Sequence, residues 1–448
     1  MHGRKHLIIG AGPVGLAMAD AMKREGIPYD HVDANGGVGG NWYDGVFETT
    51  HIVSSKGTTA YADYPMPAEY PDFPSAEQML AYLEAYARDR DLMGAMEFDK
   101  AVAHCHPNRD DTWDVTFDDN ETRTYKGVVV CNGHHWKRRF PDVPGTFEGE
   151  YIHAKDYRRP EQLAGKRVLV VGAGNSASDI ACEAARVGAG CDLSLRSGYW
   201  FMPKTAFGMA LTDLPIWWMP VALQRIVLRG LIKVIIGDYR RYGLKKPNHR
   251  IFDRHPTYGT DLLNYLRLGK IHPREEIAQL EGDTVRFRDG TVGQYDMIVA
   301  ATGYDYSFPF LPTGLIDVQG DVVQVYGGAF PDKVKNLYII GASQPRGGFG
   351  RVVTPAARLY AKMMKLQDEI DHPIGAVLAW RNNPIPTSHL MDTESTRRRI
   401  ALSHYLLPLL KRSGRRMADK VEREYWEPAK PPAIEAEAER SGSGKSAA

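Results

Sequence analysis

Cysteine is scarce in this chain of 448 residues: Cys105, Cys131, Cys182 and Cys191 are the four, and no two of them form a C-x-x-C pair. That spacing leaves out a disulfide framework, a zinc site and a dithiol redox centre, and it suits a reducing compartment. An excess of charge is missing as well. The 56 Lys and Arg against 55 Asp and Glu give a formal net charge of +1, which offers no handle for nucleic acid. The residues before the first apolar run, Met1-His2-Gly3-Arg4-Lys5, leave no room for a cleavable signal, so a cytoplasmic protein is expected. His134 and His135 are adjacent without a third ligand nearby, a spacing unsuited to zinc, and no metal site is expected. What remains is an ordinary globular composition, 43% hydrophobic and 25% charged, long enough for two or three domains.

Two glycine-rich loops stand out against this background. The first, Gly10-Ala11-Gly12-Pro13-Val14-Gly15, follows the apolar run Leu7-Ile8-Ile9 and precedes a helix-like stretch from Leu16 to Met22. In that context Gly10 makes the turn, Gly12 admits a pyrophosphate, and Gly15 lets helix pack on strand. The next strand ends at Asp33, about 20 residues on, where a carboxylate can accept from ribose hydroxyls. The second loop, Gly172-Ala173-Gly174-Asn175-Ser176-Ala177, follows Arg167 to Val171 and opens another helix. Its following strand, Cys191 to Leu195, ends in Arg196-Ser197 instead of an acid, a cation and a hydroxyl suited to a 2′-phosphate. The contrast predicts FAD in the first site and NADPH in the second.

The expected fold class is α/β, with two Rossmann-like dinucleotide-binding domains and the NADPH domain inserted into a discontinuous FAD domain. Residues 1–158 and 289–427 form the FAD domain, 159–288 the NADPH domain with an apolar, amphipathic insert at 198–250, and 428–448 a disordered tail rich in Pro, Ala, Glu, Gly and Ser. Asp296 to Tyr304 reads as a strand returning to the first domain. Ser75 with Gln78 predicts a capped helix to Asp89, and a second helix is expected from Pro355 to Gln367. Within 214–236, Trp217 and Trp218 precede a helix-like run carrying Arg225, Arg229 and Lys233. Charges and prolines exclude a spanning helix. A lid packed on the enzyme's own apolar surface is favoured over a helix lying on a membrane surface as a peripheral contact.

Between the loops runs Phe147-x-Gly149-x-x-x-His153-x-x-x-Tyr157. With Gly36-Gly37-Val38-Gly39-Gly40-Asn41-Trp42, the Gly133-His134-His135 turn, and Ala301-Thr302-Gly303-Tyr304 followed by Phe308-Pro309-Phe310-Leu311, the chain resembles the flavin-containing monooxygenases over residues 5–425. The resemblance implies FAD reduction by NADPH, reaction with O₂ through a C4a-hydroperoxyflavin, retention of NADP+ during turnover, and transfer of one oxygen to an amine nitrogen or thioether sulfur of a small, apolar substrate. It places Gly10 to Val14, Gly15, Asp33, Gly40, Asn41, Trp42 and Ser54 at FAD, and Gly172, Gly174, Asn175, Ser176, Arg196 and Ser197 at NADP. His153 is given a positioning role, and a homodimer is among the expected assemblies. Tyr157 stands where Baeyer-Villiger relatives more often carry Trp, which favours heteroatom oxygenation. No catalytic side chain is assigned; Val53, Ser54 and Lys56 are the pocket candidates. Many family members carry Asn where this chain has Val53, so a Baeyer-Villiger or decarboxylating 2-oxo-acid monooxygenase and an uncoupled NADPH oxidase stay open as alternatives.

Overall fold

The computed structural model describes residues 4–427; the tail expected at 428–448 lies outside them. Two five-stranded parallel sheets organise the chain. In the first, strands Leu337–Ile339, Gly127–Val130, His6–Ile9, Tyr29–Val32 and Met96–Glu97 lie side by side in that order. His6–Ile9, Gly127–Val130 and Leu337–Ile339 are buried throughout, as parallel strands covered on both faces must be. The second sheet runs Glu150–His153, Met297–Ala300, Arg167–Val171, Gly190–Ser194 and Ile271–Arg274.

The first sheet draws strands from 6–130 and again from 337–339, and the strands of the second sheet lie between them in the chain. One strand lies elsewhere than expected. Met297–Ala300 pairs with Arg167–Val171 and with Glu150–His153, so it closes the second sheet, and the chain returns to the first only at Leu337. Residues 150–153 and 297–300 thereby belong to the second sheet. An all-apolar strand ending in glycine fits the middle of either parallel sheet, and only the pairing separates the two.

Helix Pro13–Arg24 begins at Gly12, with Pro13 in the first turn, where a missing N–H costs nothing. Helix Ala76–Asp89 starts with the capping box anticipated at Ser75 and Gln78. Helix Gly350–Gln367 starts a turn earlier than Pro355 suggests. Its first residue is wedged against the 58–60 turn: a Cβ at Gly350 would stand 1.7 Å from the Ala60 carbonyl. Among the described residues, no helix is long and apolar enough to cross a membrane.

Candidate active site

Both glycine loops open onto one cavity of about 1740 Å³ between the sheets. Single small-molecule pockets are typically about 300–1,000 Å³, so this one has room for more than one ligand.

On the first side, Gly10 takes φ +105, and a Cβ there would meet the Cys131 carbonyl at 2.5 Å. Gly40, at φ +56, approaches so closely that its Cβ would lie 2.8 Å from the Gly12 Cα. Gly12 itself is open on its ligand side: its nearest neighbour would be the Gly40 Cα at 3.6 Å. The result is a side-chain-free cradle at a helix N-terminus, the arrangement that binds a pyrophosphate. Asp33 is buried at the end of its strand and accepts the Ala11 amide at 2.6 Å on Oδ2 and the Asn35 amide at 2.8 Å on Oδ1. Each oxygen keeps a lone pair for a ribose hydroxyl. Burial raises the Asp33 pKa while the two amides pull it down.

On the second side, Gly172 takes φ +126 beneath the Ala301 carbonyl, and a Cβ on Gly174 would enter open space. Gly174, Asn175 and Ser176 line the cavity. Asn175 accepts the Tyr258 amide at 2.7 Å, which fixes the 258 turn over the helix start. Arg196 and Ser197 follow strand Gly190–Ser194 and do not line the cavity; Arg196 is exposed and in no ion pair among the described residues. Arg254 reaches Ser197 Oγ at 3.5 Å, so a second cation from a distant segment stands beside Ser197.

The pocket candidates separate. Val53 and Ser54 line the cavity, whereas Lys56 does not. Its ammonium donates to the Ala68 carbonyl at 2.8 Å and to that of Tyr70, which makes it a clamp on the 68–70 loop. Ser54 Oγ is bonded to Thr59 Oγ1 at 2.8 Å. The side chain at position 53 gives the wall an apolar group where an amide is absent.

The linker fingerprint acts as a fastening. His153, wholly buried, accepts the Lys155 amide on Nδ1 at 3.0 Å and donates from Nε2 to the Gly303 carbonyl at 3.0 Å. Burial lowers its pKa, and both ring nitrogens are taken up by backbone groups. Tyr157 donates to Glu183, which also accepts the Thr49 hydroxyl, joining the linker, the second-domain helix and the first-domain loop. Among the described residues, no three His, Cys, Asp or Glu are grouped to hold a metal. Among the described residues His134 Nε2 and Trp136 Nε1 are buried with no hydrogen-bond partner, and both residues line the cavity, polar atoms that a bound cofactor can satisfy.

Three residues escaped the sequence reading. Asp179, in the cavity wall, is raised to about 6 by burial, against the opposing charge of Lys204. Arg254 is the cation beside Ser197. Lys155 donates to Asn41 Oδ1 at 2.6 Å and to the Gly45 carbonyl at 3.2 Å, and burial, then Arg158, lowers its pKa to about 8. That value lies below the ordinary 10.5, so the native state releases the proton first. Burying the charge costs stability below about pH 8, and the cost is relieved as pH rises from about 8 through 10.5. Relative to Lys155→Met, the parent should gain stability across that window, measured by urea unfolding on either side of pH 8. A constant difference would contradict it.

Fold and site together define an oxidoreductase built around two dinucleotides that meet in one cleft. The chain belongs to the flavin-binding monooxygenase-like family, whose pattern matches residues 3–374. It is 30% identical over 397 residues to flavin-containing monooxygenase 5 of Oryctolagus cuniculus, covering 82% of this chain and 73% of the relative. It is 31% identical over 393 residues to dimethylaniline monooxygenase [N-oxide-forming] 2 of Rattus norvegicus, covering 81% and 73%. Among solved structures, OTEMO in complex with FAD and NADP superposes with a TM-score of 0.68 at 16% identity, over 90% of this chain and 97% of that one, a likeness of fold.

Proposed function

We propose that the protein is an NADPH- and O₂-dependent flavin monooxygenase that places one oxygen atom on a soft nucleophile, an amine nitrogen or a thioether sulfur. The observation that carries this reading is the convergence of both glycine loops on a single cavity, so that hydride donor and acceptor would share one space. Bound flavin supplies the redox chemistry, taking a hydride from NADPH and passing its electrons to O₂, of which one atom goes to substrate and the other leaves as water. The protein's residues bind, orient and exclude solvent. Gly10 to Val14, Gly15, Asp33, Gly40, Asn41, Trp42 and Ser54 hold FAD; Gly172, Gly174, Asn175, Ser176, Arg196, Ser197 and Arg254 hold NADPH. Lys155 fixes the Asn41 side chain from the linker. Val53 gives the cavity an apolar face that suits an apolar substrate.

The test is stoichiometric. With a dialkylaniline or an aryl thioether, N-oxide or sulfoxide should form in near-equal amount to NADPH consumed. Ester from a ketone in preference would favour Baeyer-Villiger chemistry, and H₂O₂ equal to NADPH with every substrate would identify an oxidase.

Helix Val221–Ile235 supports a peripheral membrane contact. Gln224, Leu228 and Ile232 are buried on one side, as a lid requires. The opposite side exposes Leu223, Ile226, Val227 and Val234, with Trp218 and Phe207 alongside. Arg225 turns away to the Ile251 carbonyl and Asp253, which leaves Arg229 and Lys233 as the cations on that stretch of helix. Anionic vesicles should therefore sediment the parent protein and release Ile226→Glu/Val234→Glu. Equal sedimentation of both would remove the contact.

A further inference from the structure

Part of the cavity wall belongs to neither cofactor loop. Helices Gly350–Gln367, Ile374–Trp380 and Thr393–Ala418, which carry no residue assigned above to FAD or NADPH, contribute an apolar lobe that includes Ala356, Leu359, Met363, Leu378, Leu407 and Leu410. Pro408 withdraws one N–H from the third helix within this stretch.

The lobe reaches the surface at Leu406, which lines the cavity and is also 43% exposed. Beside it Leu402, Tyr405 and Leu409 continue an exposed apolar row at i, i+3 and i+7 from Leu402. Two cations line the same cavity. Arg381 donates through Nη1 to Ser413 Oγ at 2.8 Å and to the Leu409 carbonyl, and Arg399 donates through Nη2 to Thr396 Oγ1 at 3.1 Å. Neither arginine meets a carboxylate among the described residues, whereas their neighbours Arg397 and Arg398 are both paired with Glu394. Two uncompensated guanidinium groups where an apolar lobe meets solvent match a ligand with an anionic head and an alkyl tail.

We propose that this lobe binds a single-chain amphiphile carrying a carboxylate-like head, its chain lying against Leu359, Met363 and Leu407 and its head held by Arg381 and Arg399. The site is independent of the monooxygenase reading, because binding needs neither NADPH nor turnover.

The experiment is calorimetric titration of the flavin-loaded full-length protein with octanoate, decanoate, dodecanoate and dodecanol, each below its micelle concentration. Saturable 1:1 binding is expected, tightening by two- to fourfold per added methylene. Arg381→Met/Arg399→Met should weaken dodecanoate by about tenfold or more and leave dodecanol unchanged. Leu407→Gln, with both arginines present, should weaken both ligands. Absence of saturable binding, affinity independent of chain length, or no effect of the double substitution on dodecanoate would overturn the proposal. A parallel arm uses phosphatidylglycerol vesicles: sedimentation that depends on the two arginines, without binding of the free acids, would make this face a bilayer contact and equally overturn the cavity assignment.

Discussion

Gly12→Ala is expected to give a folded protein that purifies without flavin, whereas Gly15→Ala should give little folded protein at all. The two glycines share a loop and differ in what stands opposite them. At Gly12 the backbone has φ −78, open to any residue, and a new Cβ would touch nothing closer than the Gly40 Cα at 3.6 Å. The added methyl group would occupy only the space reserved for the pyrophosphate. Displacing the phosphate from two amide contacts costs about 3 kcal/mol, on the order of a hundredfold in FAD affinity. At Gly15 the Cβ would lie 1.8 Å from the Gly10 carbonyl, which forces strand and helix apart; such overpacking costs on the order of 3 kcal/mol or more. Flavin absorbance per protein and thermal unfolding separate the cases. Loss of fold in Gly12→Ala, or flavin retained at parental level, would contradict the cradle. Gly174→Ala, which also meets open space, should leave FAD content intact and raise the KM for NADPH.

Replacing Arg196 and Arg254 together should convert a coenzyme preference into near indifference. Among the described residues Arg196 is exposed and in no ion pair, and Arg254 stands 3.5 Å from Ser197, so two cations and a hydroxyl are gathered beyond the end of strand Gly190–Ser194. A charge-assisted bond to a phosphate contributes about 1.5–3 kcal/mol. Arg196→Ala alone should therefore raise the KM for NADPH by roughly ten- to hundredfold, and the double variant further, while the KM for NADH stays within about twofold. Steady-state kinetics with both coenzymes give the answer, and parallel rises for the two would remove these residues from the phosphate site.

The parts of this site legible in the sequence are those with local rules. A glycine turn between an apolar strand and a helix prescribes its own geometry, and Gly10, Gly12, Gly172 and Gly174 form two such turns. Ser75 and Gln78 form their capping box for the same reason. What depended on long-range pairing was out of reach. Met297–Ala300 could join either sheet, since both are parallel and a wholly buried apolar strand fits the middle of each. Lys56 stood near the cavity in sequence, but its side chain is drawn off by the Ala68 and Tyr70 carbonyls. Arg254 and Lys155 carry no motif. Their roles arise because the 254 segment folds back on Ser197 and because the linker passes Asn41.

The most direct measurement is turnover of an aryl thioether with NADPH under ¹⁸O₂, followed by mass analysis of the product. One ¹⁸O in the sulfoxide, in near-equal yield to NADPH oxidised, is the predicted result; unlabelled thioether recovered with H₂O₂ equal to the NADPH spent would contradict the assignment as a monooxygenase.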